Sequence, residues 1–343
     1  MVHGLSTFLS SLDFSLHLFM KLIFLILTLT TYQVNAQFFN KENGLAHTYS
    51  IVARDSVTGE MAVGVQSHWF SVGTAVSWGE GGVGVVATQS FTNKSFGIRG
   101  LGLLKEGKTA NEALQQLLSD DEGRDVRQVA ILDNKGRVAA HTGKNCIDFA
   151  DHISGDGFSV QSNMMLTNTV CASMATAFKK STGKPLAERI VIALKAAQNA
   201  GGDIRGKQSA ALLVVSGKSE GKPWDERLVD LRVDDHAEPL KELDRLLKVQ
   251  RAYEHMNAGD LFVEKGDMVG AMNAYNAAMK QFPGNLEMQY WTAITLANNK
   301  KIKEASSMLK KIYARDANWR ELTKRLPKAG LLTLSPQDLQ RLL

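Results

Sequence analysis

Two hydroxyls, Thr48 and Ser50, share one face of the segment His47-Thr48-Tyr49-Ser50-Ile51-Val52-Ala53-Arg54. A hydroxyl becomes a nucleophile when a neighbouring base takes its proton. Both are therefore candidate catalytic residues, Thr48 first, although a β-branched threonine also simply suits a strand. The third candidate is His68, in Gln66-Ser67-His68-Trp69, because a neutral imidazole serves as general base or acid near about pH 7. A lone histidine in a loop is as often plain surface. Trp69 beside it offers a substrate an apolar wall, and Gln66 lies just upstream.

Binding groups recur further along. Arg205, in Gly202-Asp203-Ile204-Arg205-Gly206, sits among glycines that let a carboxylate approach a planar guanidinium. The alternative is an internal Asp203–Arg205 pair, and Arg54 with Asp55 invites the same two readings. Gln89, Gln161, Asn163 and Gln208 supply neutral amides suited to an oxyanion hole or to satisfying buried backbone, and Ser90 follows Gln89. These residues end or begin apolar segments, so His68, Gln89 and Gln161 are expected to converge with Thr48 or Ser50 on one pocket. His141 and His236 are weaker candidates. The chain lacks a P-loop, a His-Glu-x-x-His pair, a Gly-x-Ser-x-Gly elbow and cysteines at zinc spacing; no metal and no cofactor is expected.

The elements that must position these groups follow from periodicity. Strands are expected over 47–54, 60–66 and 82–89, the first two joined by Asp55-Ser56-Val57-Thr58-Gly59. Helices follow over 98–106 and 109–118, then a hairpin, 126–132 and 137–141, around Asp133-Asn134-Lys135-Gly136. A strand over 158–161, helices over 169–180 and 185–199, and strands over 209–216 and 228–233 complete an α+β layered domain. Cys146 and Cys171 could form one disulfide or remain two buried thiols.

Four segments in order carry a resemblance: His47–Phe91, Gly157–Met165, Gly202–Ala211 and Leu231–His236. They resemble the family called domain of unknown function 1028, grouped by fold with the N-terminal-nucleophile (Ntn) hydrolases. The resemblance implies a four-layer αββα sandwich over residues 47–238. It also implies a nucleophile at the first residue of a processed chain, whose free α-amine is the base, titrating near about pH 8. Residues ahead of Thr48 would block that amine, so either the chain is cut again before Thr48 or the family works otherwise.

The 343 residues carry 40 Lys and Arg against 35 Asp and Glu, with 44% hydrophobic and 22% charged residues, the composition of a folded chain. Residues 248–343 hold 15 basic against 9 acidic groups, and residues 1–247 hold 25 against 26, so the excess is a C-terminal helical surface. No basic run is interleaved with aromatics, which argues against nucleic acid. At the other end, Met20-Lys21, the apolar Leu22–Leu29 and Val34-Asn35-Ala36 read as a signal peptide, 1–36, with Met20 a second candidate start and a linker over 37–46. Its apolar core is too short for a stable span of about 30 Å, although an uncleaved anchor is the alternative. The protein is expected to be secreted or periplasmic.

From residue 239 to 343 the pattern is helical: 240–257 leading into 259–266, then 268–281, 286–298 and 303–314. Ala252, Gly259, Gly266, Ala271, Ala274, Tyr275, Ala278 and Pro283 have the spacing of a tetratricopeptide repeat, with a looser copy through Leu296, Ala305, Leu309 and Ile312. Two readings of function result. One is an exported Ntn-type amidohydrolase acting on an amide in a small molecule or peptide. The other is a non-catalytic ligand-binding protein whose repeats dock a protein partner. Oligomeric state stays open.

Overall fold

Segments that are apolar almost without interruption must be covered on both faces, and the computed structural model, which describes residues 45–343, stacks them in two antiparallel sheets. The expected signal peptide, and most of the linker, lie outside the described residues. One sheet runs β1 (Leu45–Ala46), β5 (Gly84–Phe91), β6 (Arg127–Asp133) and β7 (Val138–Thr142), with β4 (Ser77–Glu80) also paired to β5. The other runs β11 (Arg227–Val233), β10 (Ser209–Val215), β3 (Met61–Ser67), β2 (Thr48–Arg54), β9 (Phe158–Ser162) and β8 (Asp151–Gly155).

Strand alternation divides each sheet between two cores. Val52, Val63, Val65, Val85, Ala87, Leu132 and Leu213 fill the space between the sheets. On the outer side of the first sheet, α2 (Ser95–Lys105) and α3 (Ala110–Ser119) pack Phe96, Leu101, Leu114 and Leu117 with Val86, Val129 and Ile131; a short helix, α1 (Gly73–Val76), precedes β4. Thr109 opens α3 with a full capping box to Glu112, a feature worth about 1 kcal/mol. On the outer side of the second sheet lie α4 (Val170–Lys180) and α5 (Leu186–Asn199), with Phe178 against Phe158 at 5.0 Å between ring centroids. Gly64 is bare because a Cβ there would lie 2.1 Å from Ile190. The architecture is the expected four-layer α-β-β-α sandwich.

Short elements depart from the expectation, among them β1, which falls in the expected linker. β4 and α1 fall in the Gly-rich stretch read as connecting chain, where Gly82 turns at φ +69° and sends β4 back along β5. β8 is mostly polar and has no fully buried residue, so it carries no apolar signature and is held by pairing with β9. The two cysteines are buried free thiols. Cys171 Sγ lies 3.1 Å from Ser162 Oγ and donates to the Asp151 carbonyl.

The chain divides into two compact units after Ala237. The second is all helical among the described residues: α6 (Pro239–Glu264), α7 (Met268–Gln281), α8 (Leu286–Asn298), α9 (Ile302–Arg315), α10 (Asn318–Arg325) and α11 (Pro336–Leu342). The expected helix over 240–257 and the segment 259–266 it leads into run together as α6, one helix of 26 residues. Gly259 stays helical because the Tyr275 ring occupies the place of its Cβ, letting α6 and α7 approach closely. Ala252, Met256, Ala271, Tyr275 and Ala278 form that interface, and Tyr290, Ala293, Leu296, Ala305, Leu309 and Ile312 the next. No described helix is long and apolar enough to cross a membrane.

Candidate functional site

β2 begins at Thr48, which is fully buried and stands opposite Ser67 of β3. The peptide bond entering β2 is therefore the one between His47 and Thr48. Its carbonyl oxygen, that of His47, accepts two hydrogen bonds: from Arg205 Nη2 at 2.7 Å and from Ser67 Oγ at 2.7 Å. A cation and a hydroxyl on one carbonyl oxygen are the donors a tetrahedral oxyanion needs.

Asp203 aims the guanidinium. Arg205 donates through Nε to Asp203 Oδ1 at 3.0 Å and through Nη2 to Oδ2 at 2.8 Å. The carboxylate also accepts from the backbone N–H of Arg205 and of His68. Its side chain is fully buried, and that of Arg205 is 28% exposed. Removing one member of such a pair strands the other, at a cost of about 3–5 kcal/mol. The loop that carries them needs glycine at both ends: Gly202 has φ +64° and Gly206 φ +117°, the latter facing the His68 ring.

The His47 side chain is buried as well, 1% exposed, with its Nδ1 2.9 Å from Asn163 Oδ1. Asn163 Nδ2 donates to Gln128 Oε1 and to the Thr48 carbonyl, so Oδ1 is an acceptor and Nδ1 of His47 holds the proton. The basic nitrogen is then Nε2. Burial pushes the His47 pKa below the ordinary histidine value, opposed by the Asn163 bond; Arg205 lowers it further and Asp203 raises it. The ring meets Phe91 edge to face at 5.7 Å. Backbone strain marks the neighbourhood: Ser90 and Met164, neither a glycine, have φ of +70° and +58°, each a cost of about 1–3 kcal/mol that clusters at functional sites.

A polar network ties the sheets beside this point. Ser50 Oγ donates to Gln89 Oε1 at 2.6 Å and accepts from Gln161 Nε2 at 2.6 Å. Gln89 Nε2 donates to Gln128 Oε1 at 2.6 Å and to the Thr48 carbonyl at 3.2 Å. Gln128 Nε2 in turn reaches Thr142 Oγ1 and the Ser162 carbonyl. The two side-chain partners of Ser50 are neutral amides, which cannot take its proton. Its geometry is that of a cross-sheet tie.

The structure brings several of the expected residues together. Gln89 and Gln161 meet at Ser50, Asn163 meets His47, and Asp203 with Arg205 meets the His47 carbonyl. His68 joins through its backbone N–H, while its side chain is exposed. Trp69 is half-buried against the inter-sheet core and its carbonyl accepts from Ser209 Oγ. Gln66 faces the helix layer, opposite to Ser67, and its buried amide has no hydrogen-bond partner among the described residues. Two expectations are corrected. Arg54 ends β2, six residues beyond Thr48 and so about 20 Å away at strand rise, beside Gly59 and Gly157. Gln208 turns its amide to Asp235 at the surface. His47, Ser67 and Gln128 join the site beyond the residues expected from sequence. Gln128, a buried amide inside an apolar strand, left a legible signal.

A separate cleft of about 460 Å³ is lined by Trp78, Ile98, Lys105 and Arg232 among others, and by none of the expected site residues. Its cations are already matched: Lys105 by Glu80 at 2.6 Å and Arg232 by Asp230 at 3.1 Å. Among the described residues no group of three or more His, Cys, Asp or Glu is arranged to hold a metal.

Comparison with known proteins agrees with the two-part architecture. A family of unknown function, DUF1028, matches residues 48–243, and a tetratricopeptide repeat matches residues 262–326. The crystal structure of protein SPO2555 from Silicibacter pomeroyi, assigned to DUF1028, is similar at 30% identity and a TM-score of 0.53, over 59% of this chain and 88% of that one. Anbu (ancestral beta-subunit) from Yersinia bercovieri aligns at 12% identity and a TM-score of 0.30, over 58% of this chain and 92% of that one. No curated protein matches the chain.

Proposed function

The chain belongs to the DUF1028 family of unknown function, and from the geometry at the start of β2 we propose that it is an exported Ntn-type amidohydrolase whose nucleophile, Thr48, is released by cleavage of the His47–Thr48 bond. The supporting observation is the His47 carbonyl oxygen held by Arg205 and Ser67. In the first step Thr48 Oγ1 attacks the His47 carbonyl carbon. A C–O bond forms, the C–N bond breaks, and the Thr48 nitrogen leaves with the hydroxyl proton as a free amine. Water then hydrolyses the ester, returning the hydroxyl and giving His47 a carboxylate. The α-amine of the new terminus is the base for later turnovers, and the same two donors hold the oxyanion of each substrate amide.

The signal-peptide pattern of residues 1–36 supports export, and the repeats of the second unit support docking of a protein partner. The test is terminal sequencing of the mature protein with an amidase screen of the wild type, Thr48→Ala and His68→Ala. Sequence beginning at Thr48, with activity lost in Thr48→Ala, supports the enzyme. A second reading, a ligand-binding protein without catalysis, draws on the unbroken run of backbone from β1 through His47 into β2. A mature chain beginning at Gln37 and inert toward amides supports it.

A further inference from the structure

The residues on the acyl side of the His47–Thr48 bond occupy a built site. Leu45 and Ala46 pair antiparallel with Phe91 and Ser90 of β5. The His47 ring is enclosed, with Phe91 edge-on and Nδ1–H donating to Asn163 Oδ1. Asn163 cannot turn to present its NH2 instead without breaking the bonds it donates to Gln128 and Thr48. The His47 carbonyl rests on Arg205 and Ser67. A catalytic centre that cuts its own chain has, at that moment, its own residues as substrate, and must be complementary to them at the reacting carbon. Once the segment leaves, the β5 edge, the ring slot and the two oxyanion donors are vacated together.

We infer that the substrate is an extended peptide lying along β5 whose residue on the acyl side of the scissile amide is histidine, or another residue with a planar ring and an N–H donor at the Nδ1 position. This rests on the cleavage reading above and names the substrate class of that same site. The peptide backbone takes the place of β1 by strand addition, with side-chain choice made in the slot. A slot with a fixed acceptor discriminates strongly against a ring that cannot donate, because the buried acceptor is then left unpaired. Small acyl groups without a preceding residue lose the β5 pairing and are poor substrates.

The test uses the purified mature protein with its terminus established as Thr48, and para-nitroanilides of acetyl-Leu-Ala-X. Histidine and 3-(pyrrol-2-yl)alanine at X both present a ring N–H at the Nδ1 position; Nδ1-methylhistidine and phenylalanine do not. The expected kcat/KM is at least about tenfold higher for the first two than for the second two, and acetyl-Leu-Ala-histidine acid inhibits competitively. Equal rates across the four, or preference for phenylalanine, overturn the inference while leaving the amidohydrolase standing. No hydrolysis of any of the four by a protein that does cleave other amides also overturns it. A chain that is never cut at His47–Thr48 overturns both.

Discussion

Arg205 Nη2 donates to the carbonyl oxygen of His47 across 158 positions of sequence, at 2.7 Å. The contact brings a loop between α5 and β10 onto the peptide bond that opens β2, and Asp203 holds the guanidinium in a two-point grip. A planar, permanently charged donor fixed in this way is already oriented for negative charge on that oxygen, so little reorganisation accompanies the reaction. Lysine at 205 would bring a charge without the fork.

Ser50→Ala separates the tie from the nucleophile. Loss of the hydroxyl leaves Gln89 Oε1 and Gln161 Nε2 without their shared partner in a buried network, and the expected cost is about 1–3 kcal/mol in urea unfolding. Cleavage before Thr48 is retained. Lost cleavage at unchanged stability would make Ser50 the reacting hydroxyl.

Stability is expected to fall on mild acidification. Burial lowers the His47 pKa from 6.5, and burial also lowers that of His152. Below that ordinary value the unfolded chain binds protons that the folded chain refuses. The stability is therefore full above about pH 6.5 and declines as pH falls toward the lowered values. Urea midpoints of uncut Thr48→Ala protein at about pH 7.5 and 5.5 check this. His47→Gln in that background shows a smaller drop; an equal drop assigns the effect elsewhere.

Both thiols are expected to be inert in the folded protein. Burial pushes the Cys171 thiol up to about 12, against the bond from Ser162, and raises Cys146 as well. The thiolate is the reactive form. Iodoacetamide at about pH 8 labels neither cysteine in the native protein and both in denaturant, read by mass. Rapid native labelling contradicts the buried thiols.

A chain ending at Ala237, the boundary between the units, is expected to unfold in one cooperative transition and to lose whatever partner the full chain binds. A gradual, non-cooperative melt shows that the sandwich needs the helices.

Much of this fold was legible because its signals are local. The turn at Asp133–Gly136 has Gly136 at φ +82° and Asp133 Oδ1 accepting from two backbone N–H groups, as such a sequence demands. The helices over 268–281 and 286–298 start and stop where the sequence pattern places them, and in the structure Asp267 and Asn285 cap their first turns. β8 leaves no mark in the sequence because an edge strand needs no apolar pattern, only a partner. The site was legible by type and not by role. Asp203 and Arg205 fit either a binding group or a pair by sequence, and in the structure they are a pair that binds the chain's own carbonyl. His47 is not legible in the sequence because its part is played by a backbone oxygen and an enclosed ring, neither of which periodicity reports. Arg54 lies away from the site because β2 carries Thr48 and Arg54 to its opposite ends.

The central claim is that Arg205 and Ser67 hold the His47 carbonyl for attack by Thr48. Intact-mass measurement of mature wild type, Thr48→Ala and Arg205→Ala tests it. The account predicts a wild-type chain beginning at Thr48, an uncut Thr48→Ala, and cleavage in Arg205→Ala slowed by about 100- to 1,000-fold, the usual effect of losing one oxyanion donor, with a folded Arg205→Lys cutting at an intermediate rate. A wild-type protein that stays intact across His47–Thr48 under conditions where it is folded and active contradicts the account.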